Sequence, residues 1–275
     1  MIFDKVQERK GAGFRGLLLV IAIALLGAWL AVWGALHWRE ADRAAESARV
    51  LHQVGETLLS QTTGGPMLGA VSLLGLSEPL LKEIALGHLP PDDPQALARL
   101  GVARGRFMVN GVYVIAANGT VVAHETAGDR STGRNLAFRP YFQQALQGAI
   151  SAYAGVGINT QERGLYYAAP LYEGDTPSSS IIGVVMFKVG FEPVDLVLKR
   201  SGLPTVLLSP QGAVFASTRP EWQFAVAPPL TQARIDAIRA SGQFGQHFDN
   251  GVASALPFAP DAGELVLNGV PYAVE

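Results

Sequence analysis

An uncharged stretch near the N-terminus constrains this chain more than any other feature. Residues 16–36 contain no charged side chain, and residues 17–36 read LLLVIAIALLGAWLAVWGAL. About 20 apolar residues rising ~1.5 Å each span the hydrocarbon core of a bilayer. A cleaved signal peptide would have a shorter apolar core, of about 7 to 15 residues, followed closely by a cleavage site. The stretch therefore predicts an uncleaved transmembrane helix over residues 16–37.

The charges on either side of this stretch predict its orientation. Four Lys and Arg residues lie within residues 1–15, whereas the residues just after the stretch mix both signs of charge. An excess of Lys and Arg marks the cytoplasmic side of a membrane helix. We therefore expect residues 1–15 to be a cytoplasmic tail of a bacterial inner-membrane protein, and the residues after about 38 to be periplasmic.

The composition excludes several functional classes. The chain has no cysteine, so disulfides and thiolate metal sites are excluded. Its formal net charge is −2 and its Lys and Arg residues are scattered, which argues against a nucleic-acid partner. The motifs of common nucleophilic, zinc-dependent and nucleotide-hydrolysing enzymes are missing, and the histidines are too dispersed to indicate a metal site. We therefore expect no catalytic centre, metal or cofactor in these residues.

Helical patterns follow the apolar stretch. Between Trp38 and Gln61, apolar residues recur at helical spacing, which predicts a stalk helix continuing the membrane helix outward. Periodicity alone leaves open whether its apolar face packs on its own domain or against a second copy of the chain. Glycine and proline breaks then separate shorter helices. We expect residues 38–105 to form a periplasmic stalk and helical region.

The pattern changes to strands at Gly111. The run VYVIAANGTVVAHE contains two β-rich segments joined at Asn118-Gly119, a strong hairpin signal. A short helix is predicted to begin at Arg139-Pro140, because proline is favoured at the first helical position. Further strands follow, and the last of them reads IIGVVMFKV. We expect residues 106–200 to form a membrane-distal module.

A second cycle of the same kind begins at Pro204. TVLLSPQGAVFAST predicts strand, turn and strand, LTQARIDAIRAS predicts a helix, and FGQHF and ELVLNGVPYAVE predict further strands. We expect residues 201–275 to form a membrane-proximal module that stops inside a hairpin, as the front part of a longer protein would. The predicted fold class is α+β: a transmembrane helix and a stalk helix precede two modules, each with a central antiparallel sheet covered by helices on one face.

Two cations lie in otherwise apolar or aromatic segments. Arg139 belongs to GRNLAFRPYFQQALQG, and strand alternation places Lys188 on one face with Met186. A guanidinium can bind a carboxylate through two hydrogen bonds, and an ammonium adds another charge-assisted bond. The two therefore form a candidate anion site. In the alternative, Arg139 pairs with a local acid such as Glu162 or Asp129, and Lys188 extends to solvent from a sheet edge.

Aromatic residues accompany these cations. Tyr141 is expected to line the pocket because it lies close to Arg139 in the sequence. Tyr166 and Tyr167 are neighbours on a predicted strand and point to opposite faces, so one should face the ligand and the other the core. Trp222 is expected to be a structural anchor.

Four segments together suggest a family. They are GRNLAFRPYFQQALQG, RGLYYAAP, GVVMFKVGFEPVD and LSPQGAVFASTRPEWQF. In this order and spacing they resemble the DctB-like C4-dicarboxylate sensor histidine kinases, which have a double Cache (tandem PAS-like) sensor domain. The resemblance implies that the distal module binds a small carboxylate through Arg139, Lys188 and a hydroxyl at Thr160. This sequence departs from the family pattern at Leu136 and Ile158, which replace a tyrosine and a threonine, so the choice among carboxylates stays open.

The resemblance also implies partners and an output. We expect a homodimer that passes a signal to a response regulator through a cytoplasmic part beyond Glu275, where any histidine kinase activity would lie. The same sensor could instead serve a chemoreceptor or a diguanylate cyclase. A membrane-anchored scaffold protein without a ligand is the alternative of a different class.

Overall fold

The computed structural model describes residues 26, 28–30, 33, 45–58, 60, 65–128 and 131–274. Residues 52–259 form one compact unit, and the described residues before and after them belong to another. Most of the predicted membrane span lies outside the described residues, and the few that are described in it are helical. Among the helices of the described residues, none combines the length and the apolar character that crossing a bilayer requires.

The predicted helices before the first strand are confirmed in the described residues. They are α1 (45–58), α2 (Pro66–Ser77), α3 (Pro79–Ala85) and α4 (Pro94–Phe107). The last three begin with a proline, whose missing N–H costs nothing at a position where no helical partner exists. Asp93 caps α4 by accepting hydrogen bonds from the N–H groups of Gln95 and Ala96.

A five-stranded antiparallel sheet forms the centre of the compact unit 52–259. Its strands are β1 (Gly111–Ala116), β2 (Val121–Thr126), β3 (Ser151–Val156), β4 (Arg163–Tyr172) and β5 (Ile181–Gly190). Their order is β2-β1-β5-β4-β3, with every neighbouring pair antiparallel. The predicted hairpin between β1 and β2 is confirmed, and Gly119 supplies the positive φ of its turn. Lys188 lies on β5, the middle strand, directly opposite Tyr166 of β4.

Helices cover both faces of this sheet. Helix α5 (Pro140–Leu146) begins where predicted and contacts β3, β4 and β5, where its Tyr141 joins a core cluster with Met186. On the other face, Phe107 at the end of α4 packs against Phe187, with ring centroids 5.6 Å apart. The expected arrangement with helices on one face is therefore wrong. The central strands are buried on both faces, so each face needs its own cover.

Shorter elements follow the sheet. They are α6 (Glu192–Arg200), β6 (Val206–Leu208), β7 (Val214–Ser217), a 3-10 helix (Pro220–Trp222), α7 (Gln232–Ala240), β8 (Glu264–Leu267) and β9 (Val270–Ala273). In the described part of residues 201–275, the strands form two separate two-stranded sheets, β6-β7 and β8-β9. A central sheet like that of the preceding region is therefore not found there. Trp222 is buried against Phe258, as an anchor would be.

One strand predicted in this region is wrong. Residues 241–250, which include FGQHF, form successive turns. Gly242 and Gly245 both have positive φ, which lies outside the extended region of regular strands. Phe244 and Phe248 are nevertheless buried and pack edge to face, 5.3 Å between centroids. The aromatic spacing that suggested a strand instead places both rings in the core of a compact turn.

Candidate ligand-binding site

A cavity of about 80 Å³ lies on the α5 face of the five-stranded sheet. This volume is several times the roughly 10–15 Å³ that one water molecule occupies by the same measure, so a small organic molecule has room. The lining residues are Tyr113, Thr126, Gly128, Ser131, Arg134, Leu136, Arg139, Tyr141, Gly157, Ile158, Asn159, Thr160, Tyr166, Met186 and Lys188. The five residues predicted to bind ligand, Arg139, Tyr141, Thr160, Tyr166 and Lys188, are all among them. The fold thus brings together side chains from α5, two strands and a loop.

Lys188 projects into the cavity from the middle of the sheet. Its Nζ donates a hydrogen bond to Oγ1 of Thr160 over 3.2 Å, and no carboxylate among the described residues lies within ion-pair distance of it. Burial lowers the pKa of Lys188, while Glu162 and Glu192 act in the opposite direction. Because β5 is a central strand, the alternative that Lys188 extends from a sheet edge is wrong.

Arg139 is the most enclosed cation of the cavity. Only 2% of it is exposed, and it stands at the N-cap position of α5. Its Nη2 donates to the carbonyl oxygen of Val156 over 2.9 Å, and its Nη1 donates to that of Gly242 over 2.7 Å. Its Nε is buried and has no hydrogen-bond partner among the described residues. Arg139 forms no ion pair within the described part of the chain, from which Asp129 is missing, so its charge there is met by neutral groups.

Three tyrosines place hydroxyl groups around these cations. Tyr141 and Tyr166 stack with their rings inclined by only 6° and their centroids 5.3 Å apart. Burial raises the pKa of Tyr166 to about 12, against the opposing field of Arg139, and burial raises the pKa of Tyr141 and Tyr113 as well. All three hydroxyls therefore stay protonated near neutral pH and can donate hydrogen bonds to an anion. Tyr166 lines the cavity, and Tyr167 is buried and is not among the lining residues, so a contact of Tyr166 with a ligand stays a prediction.

Gly157 shows how closely the polar groups converge. A Cβ atom built on Gly157 would lie 2.7 Å from Oγ1 of Thr160 and 3.4 Å from both Nζ of Lys188 and the hydroxyl of Tyr166. The three groups therefore surround the space beside this residue. The lack of a side chain at Gly157 leaves that space open to a ligand.

The loop between β2 and α5 supplies lining residues that the sequence pattern did not indicate, Ser131 and Arg134 among them. The loop is held against β2: the N–H of Ser131 donates to Nδ1 of His124 over 2.9 Å, and the N–H of Val121 donates to the carbonyl of Arg134. Such irregular loops have no period in sequence, so no local signal reveals which side chains point inward. Tyr113 joins the lining because the register of β1 and β5 places it opposite Met186, a pairing of strands distant in the chain.

The lining includes two chemically distinct sets of residues. Leu136, Ile158 and Met186 belong to the hydrophobic cluster around α5 or pack against it. Leu136 and Ile158, where the chain departs from the family pattern, thus both line the cavity. Arg134, Arg139 and Lys188 are positively charged, and none of the described lining residues is a carboxylate. The cavity is therefore suited to a small anion that also has a hydrocarbon part.

Comparison with curated proteins identifies relatives in one group. No protein-family model matches the chain. The chain is 32% identical over 185 residues to the C4-dicarboxylate transport sensor protein DctB of Pseudomonas aeruginosa, a match that covers 66% of this chain and 28% of that protein. It is 29% identical over 136 residues to DctB of Rhizobium meliloti, covering 49% of this chain and 21% of that protein. The chain thus matches less than a third of the length of either relative.

Solved structures match the fold. The sensor domain of the V. cholerae histidine kinase DctB superposes with a TM-score of 0.61 at 21% identity, covering 80% of this chain and 79% of that one. The ligand-binding domain of the Campylobacter jejuni chemoreceptor Tlp3, in complex with 4-methylisoleucine, gives a TM-score of 0.51 at 15% identity, covering 70% and 73%. At these sequence identities the two structures show only that the fold is similar. Sequence and fold together make this chain a DctB-like sensor chain with a Cache-type domain.

Proposed function

We propose that this chain is the extracytoplasmic sensor part of a two-component histidine kinase and binds a small carboxylate, most suitably a C4-dicarboxylate. The observation that carries the proposal is the cavity itself, whose described lining has three cations and no carboxylate. Both curated relatives are named as C4-dicarboxylate transport sensor proteins. They favour this function over a chemoreceptor, a diguanylate cyclase or a scaffold protein without a ligand.

In this proposal the ligand lies between Lys188 and Arg139. One carboxylate accepts hydrogen bonds from Nζ of Lys188 and from Thr160, and the other approaches the guanidinium of Arg139, whose Nε has no hydrogen-bond partner among the described residues. The neutral hydroxyls of Tyr141 and Tyr166 donate further bonds. Hydrogen bonds to charged groups contribute about 1.5–3 kcal/mol each, more than neutral ones. A dicarboxylate therefore has one anionic group for each of the two cations, whereas a monocarboxylate has only one.

The proposed topology places the cavity in the periplasmic part of a membrane-anchored signalling protein. Residues 1–15 are cytoplasmic, 16–37 cross the inner membrane, 38–105 form the stalk and helical region, and 106–200 and 201–275 form the distal and proximal modules. Two copies pair, and the membrane helices pass the signal to a kinase and response regulator that lie outside these residues. The ligand shifts the signalling equilibrium only through its differential affinity for the two states.

A binding experiment tests the proposed function. The full chain, purified in a nonionic detergent, is titrated with succinate, fumarate, malate and the monocarboxylates acetate and butyrate by calorimetry and thermal shift. A ligand at about 100 times its Kd stabilises the folded state by about 2.7 kcal/mol, so a dicarboxylate should raise the melting temperature clearly. The absence of any shift with every carboxylate at millimolar concentration, in a folded sample, would refute the proposal.

A further inference from the structure

The outer edge of the five-stranded sheet is bonded to a segment far along the chain. Strand β3 is an edge strand, and residues 242–246, here called the docking segment, lie against it. The N–H of Val156 donates to the carbonyl of Gln243 over 2.7 Å, and Nε2 of Gln243 donates to the carbonyl of Ala154 over 3.0 Å. The docking segment thus occupies hydrogen-bonding groups that an edge strand would otherwise expose.

Arg139 joins this contact from inside the cavity. It donates to the carbonyl of Val156 on β3 and to the carbonyl of Gly242 in the docking segment. The same side chain lines the cavity. A change in the position of its guanidinium would therefore alter the contact between β3 and the docking segment.

Gln161 makes a second connection through the loop that follows β3. Residues 157–161, here called the pocket loop, include the lining residues Ile158, Asn159 and Thr160. Nε2 of Gln161 donates to the carbonyl of Ile158 over 2.7 Å, and its Oε1 accepts from the backbone N–H of Gln246 over 3.1 Å. One side-chain amide therefore closes the pocket loop on itself and ties it to the docking segment.

The backbone at this connection has a conformation that needs such support. Gln161 has φ +52, a left-handed conformation that is uncommon for a residue with a side chain. Across the contact, Gly245 has φ +57, and a Cβ atom there would lie 2.7 Å from Oε1 of Gln161. Both residues thus adopt special backbone geometry where the pocket loop meets the docking segment. Strained residues of this kind persist only where the surrounding contacts hold them.

We propose that Gln161 is a positioning residue that holds the pocket loop in its ligand-binding shape, and that the docking segment senses the ligand through Gln161 and Arg139. The inference rests on the proposed function, because it takes the cavity to be a carboxylate site. A ligand bound to Thr160 favours the loop shape that includes the bond from Gln246 to Gln161. By linkage, ligand and docking segment then stabilise each other.

The test compares Gln161→Ala with the wild-type full chain, using succinate as the probe. Loss of the two side-chain hydrogen bonds should weaken succinate binding roughly tenfold, with the melting temperature of the free protein nearly unchanged. Hydrogen exchange supplies a readout that a merely structural role would not move. Succinate should slow exchange in peptides covering residues 242–248 of the wild type, and this protection should be clearly smaller in the variant, which of the two connections to the cavity keeps only the bond from Arg139 to Gly242. Gln95→Ala on the exposed face of α4 is the matched control and should behave as the wild type.

Gln161→Glu separates the two connections. Its carboxylate can still accept from the N–H of Gln246, but it cannot donate to the carbonyl of Ile158. We expect intermediate binding and retained protection of the docking segment. If Gln161→Ala binds succinate with the Kd of the wild type, the positioning role is wrong. If saturating succinate leaves the hydrogen exchange of residues 242–248 of the wild type unchanged, the sensing role is wrong.

Failure of the proposed function gives a different result. In that case no carboxylate binds the wild type, and the comparison is made without ligand. The docking segment should still exchange faster in Gln161→Ala than in the wild type, because its bond to the pocket loop is gone. If the docking segment exchanges at the same rate in ligand-free wild type and ligand-free Gln161→Ala, that result alone would overturn the positioning role.

Discussion

The two cations Arg139 and Lys188 of the cavity interact with the protein in different ways. Arg139 is almost fully buried and donates hydrogen bonds to carbonyl oxygens that lie on two distant segments, at Val156 and Gly242. Lys188 is partly exposed, and its hydrogen-bond partner is the hydroxyl of Thr160. Arg139 therefore supports the fold as well as the site, whereas Lys188 is available to a ligand.

The difference follows from the chemistry of the two side chains. A guanidinium has five N–H groups in a planar fork, so it can bind two backbone carbonyls and still offer a donor to a ligand. An ammonium on a flexible stem makes fewer fixed contacts and loses little when a ligand replaces them. Burial of a charge without an opposite charge is costly, which gives both cations reason to attract an anion.

The largest expected effect is that of Arg139→Ala. The variant leaves the buried carbonyl oxygen of Val156 and the partly buried one of Gly242 without this donor, so we expect a loss of about 3–5 kcal/mol of unfolding free energy together with loss of succinate binding. Thermal and urea unfolding measure the first effect, and calorimetry measures the second. Arg139→Lys keeps the charge and should recover only part of the stability. An unfolding free energy of Arg139→Ala within about 1 kcal/mol of the wild type would contradict the role of Arg139 in supporting the fold.

Lys188→Met should affect binding while sparing the fold. The variant removes a charge-assisted hydrogen bond, so succinate affinity should fall about 10- to 100-fold. The unfolding free energy should change by less than about 1 kcal/mol, because an apolar side chain of similar length replaces a partly desolvated charge. Lys199→Met on α6 removes a lysine outside the cavity and serves as the control. A large stability loss in Lys188→Met with unchanged affinity would reverse the roles of the two cations.

Gly157→Ala probes the space between Gly157, Thr160 and Lys188. The new methyl group would approach Oγ1 of Thr160 to 2.7 Å, so the hydroxyl must rotate away from Lys188. Succinate affinity should fall roughly tenfold, since the cavity narrows and one ligand donor is displaced. Calorimetry checks the affinity. Gly105→Ala in α4, where a Cβ atom meets nothing within 4 Å, is the control and should leave binding unchanged. Tighter binding in Gly157→Ala would show that the ligand does not use this space.

The smallest expected effect is a pH dependence of stability and of succinate affinity that arises from Lys188. Because burial lowers the pKa of Lys188 from its ordinary value of 10.5, the side chain loses its charge at a lower pH in the folded chain than in the unfolded chain. In the window between the two pKa values the unfolded state binds more protons, so the contribution of Lys188 to stability rises with pH. Succinate affinity should fall as pH rises through the same window. Calorimetry over alkaline pH checks this, and an equal fall in Lys188→Met would contradict the assignment.

Much of the site near Lys188 could be predicted from the sequence. Strand alternation placed Met186 and Lys188 on one face, and it separated Tyr166 from Tyr167. The proline at position 140 located the start of α5 and thus the position of Arg139. These features depend on backbone geometry over a few residues, which local sequence determines. The hairpin at Asn118-Gly119 was predictable for the same reason.

The surroundings of Arg139 could not be predicted in this way. Its bond to Gly242 joins residues 103 positions apart in the chain. The docking segment also lacks a periodic pattern, and the buried Phe244 within it and Phe248 just after it suggested a strand where turns are found. Contacts between irregular segments depend on how separate elements pack, and no local rule encodes them.

The sequence by itself determined most of the elements in the described residues, the face on which Lys188 lies and the chemical character of a cationic site. Only the tertiary structure decided that five predicted residues line one cavity, that apolar Leu136 and Ile158 share it, and that Arg139 and Gln161 bind the docking segment. The physical reason is the distance along the chain over which each effect acts. Backbone preferences act over a few residues. The burial of a charge and the pairing of a sheet edge depend instead on distant groups that the packed chain brings within hydrogen-bond distance.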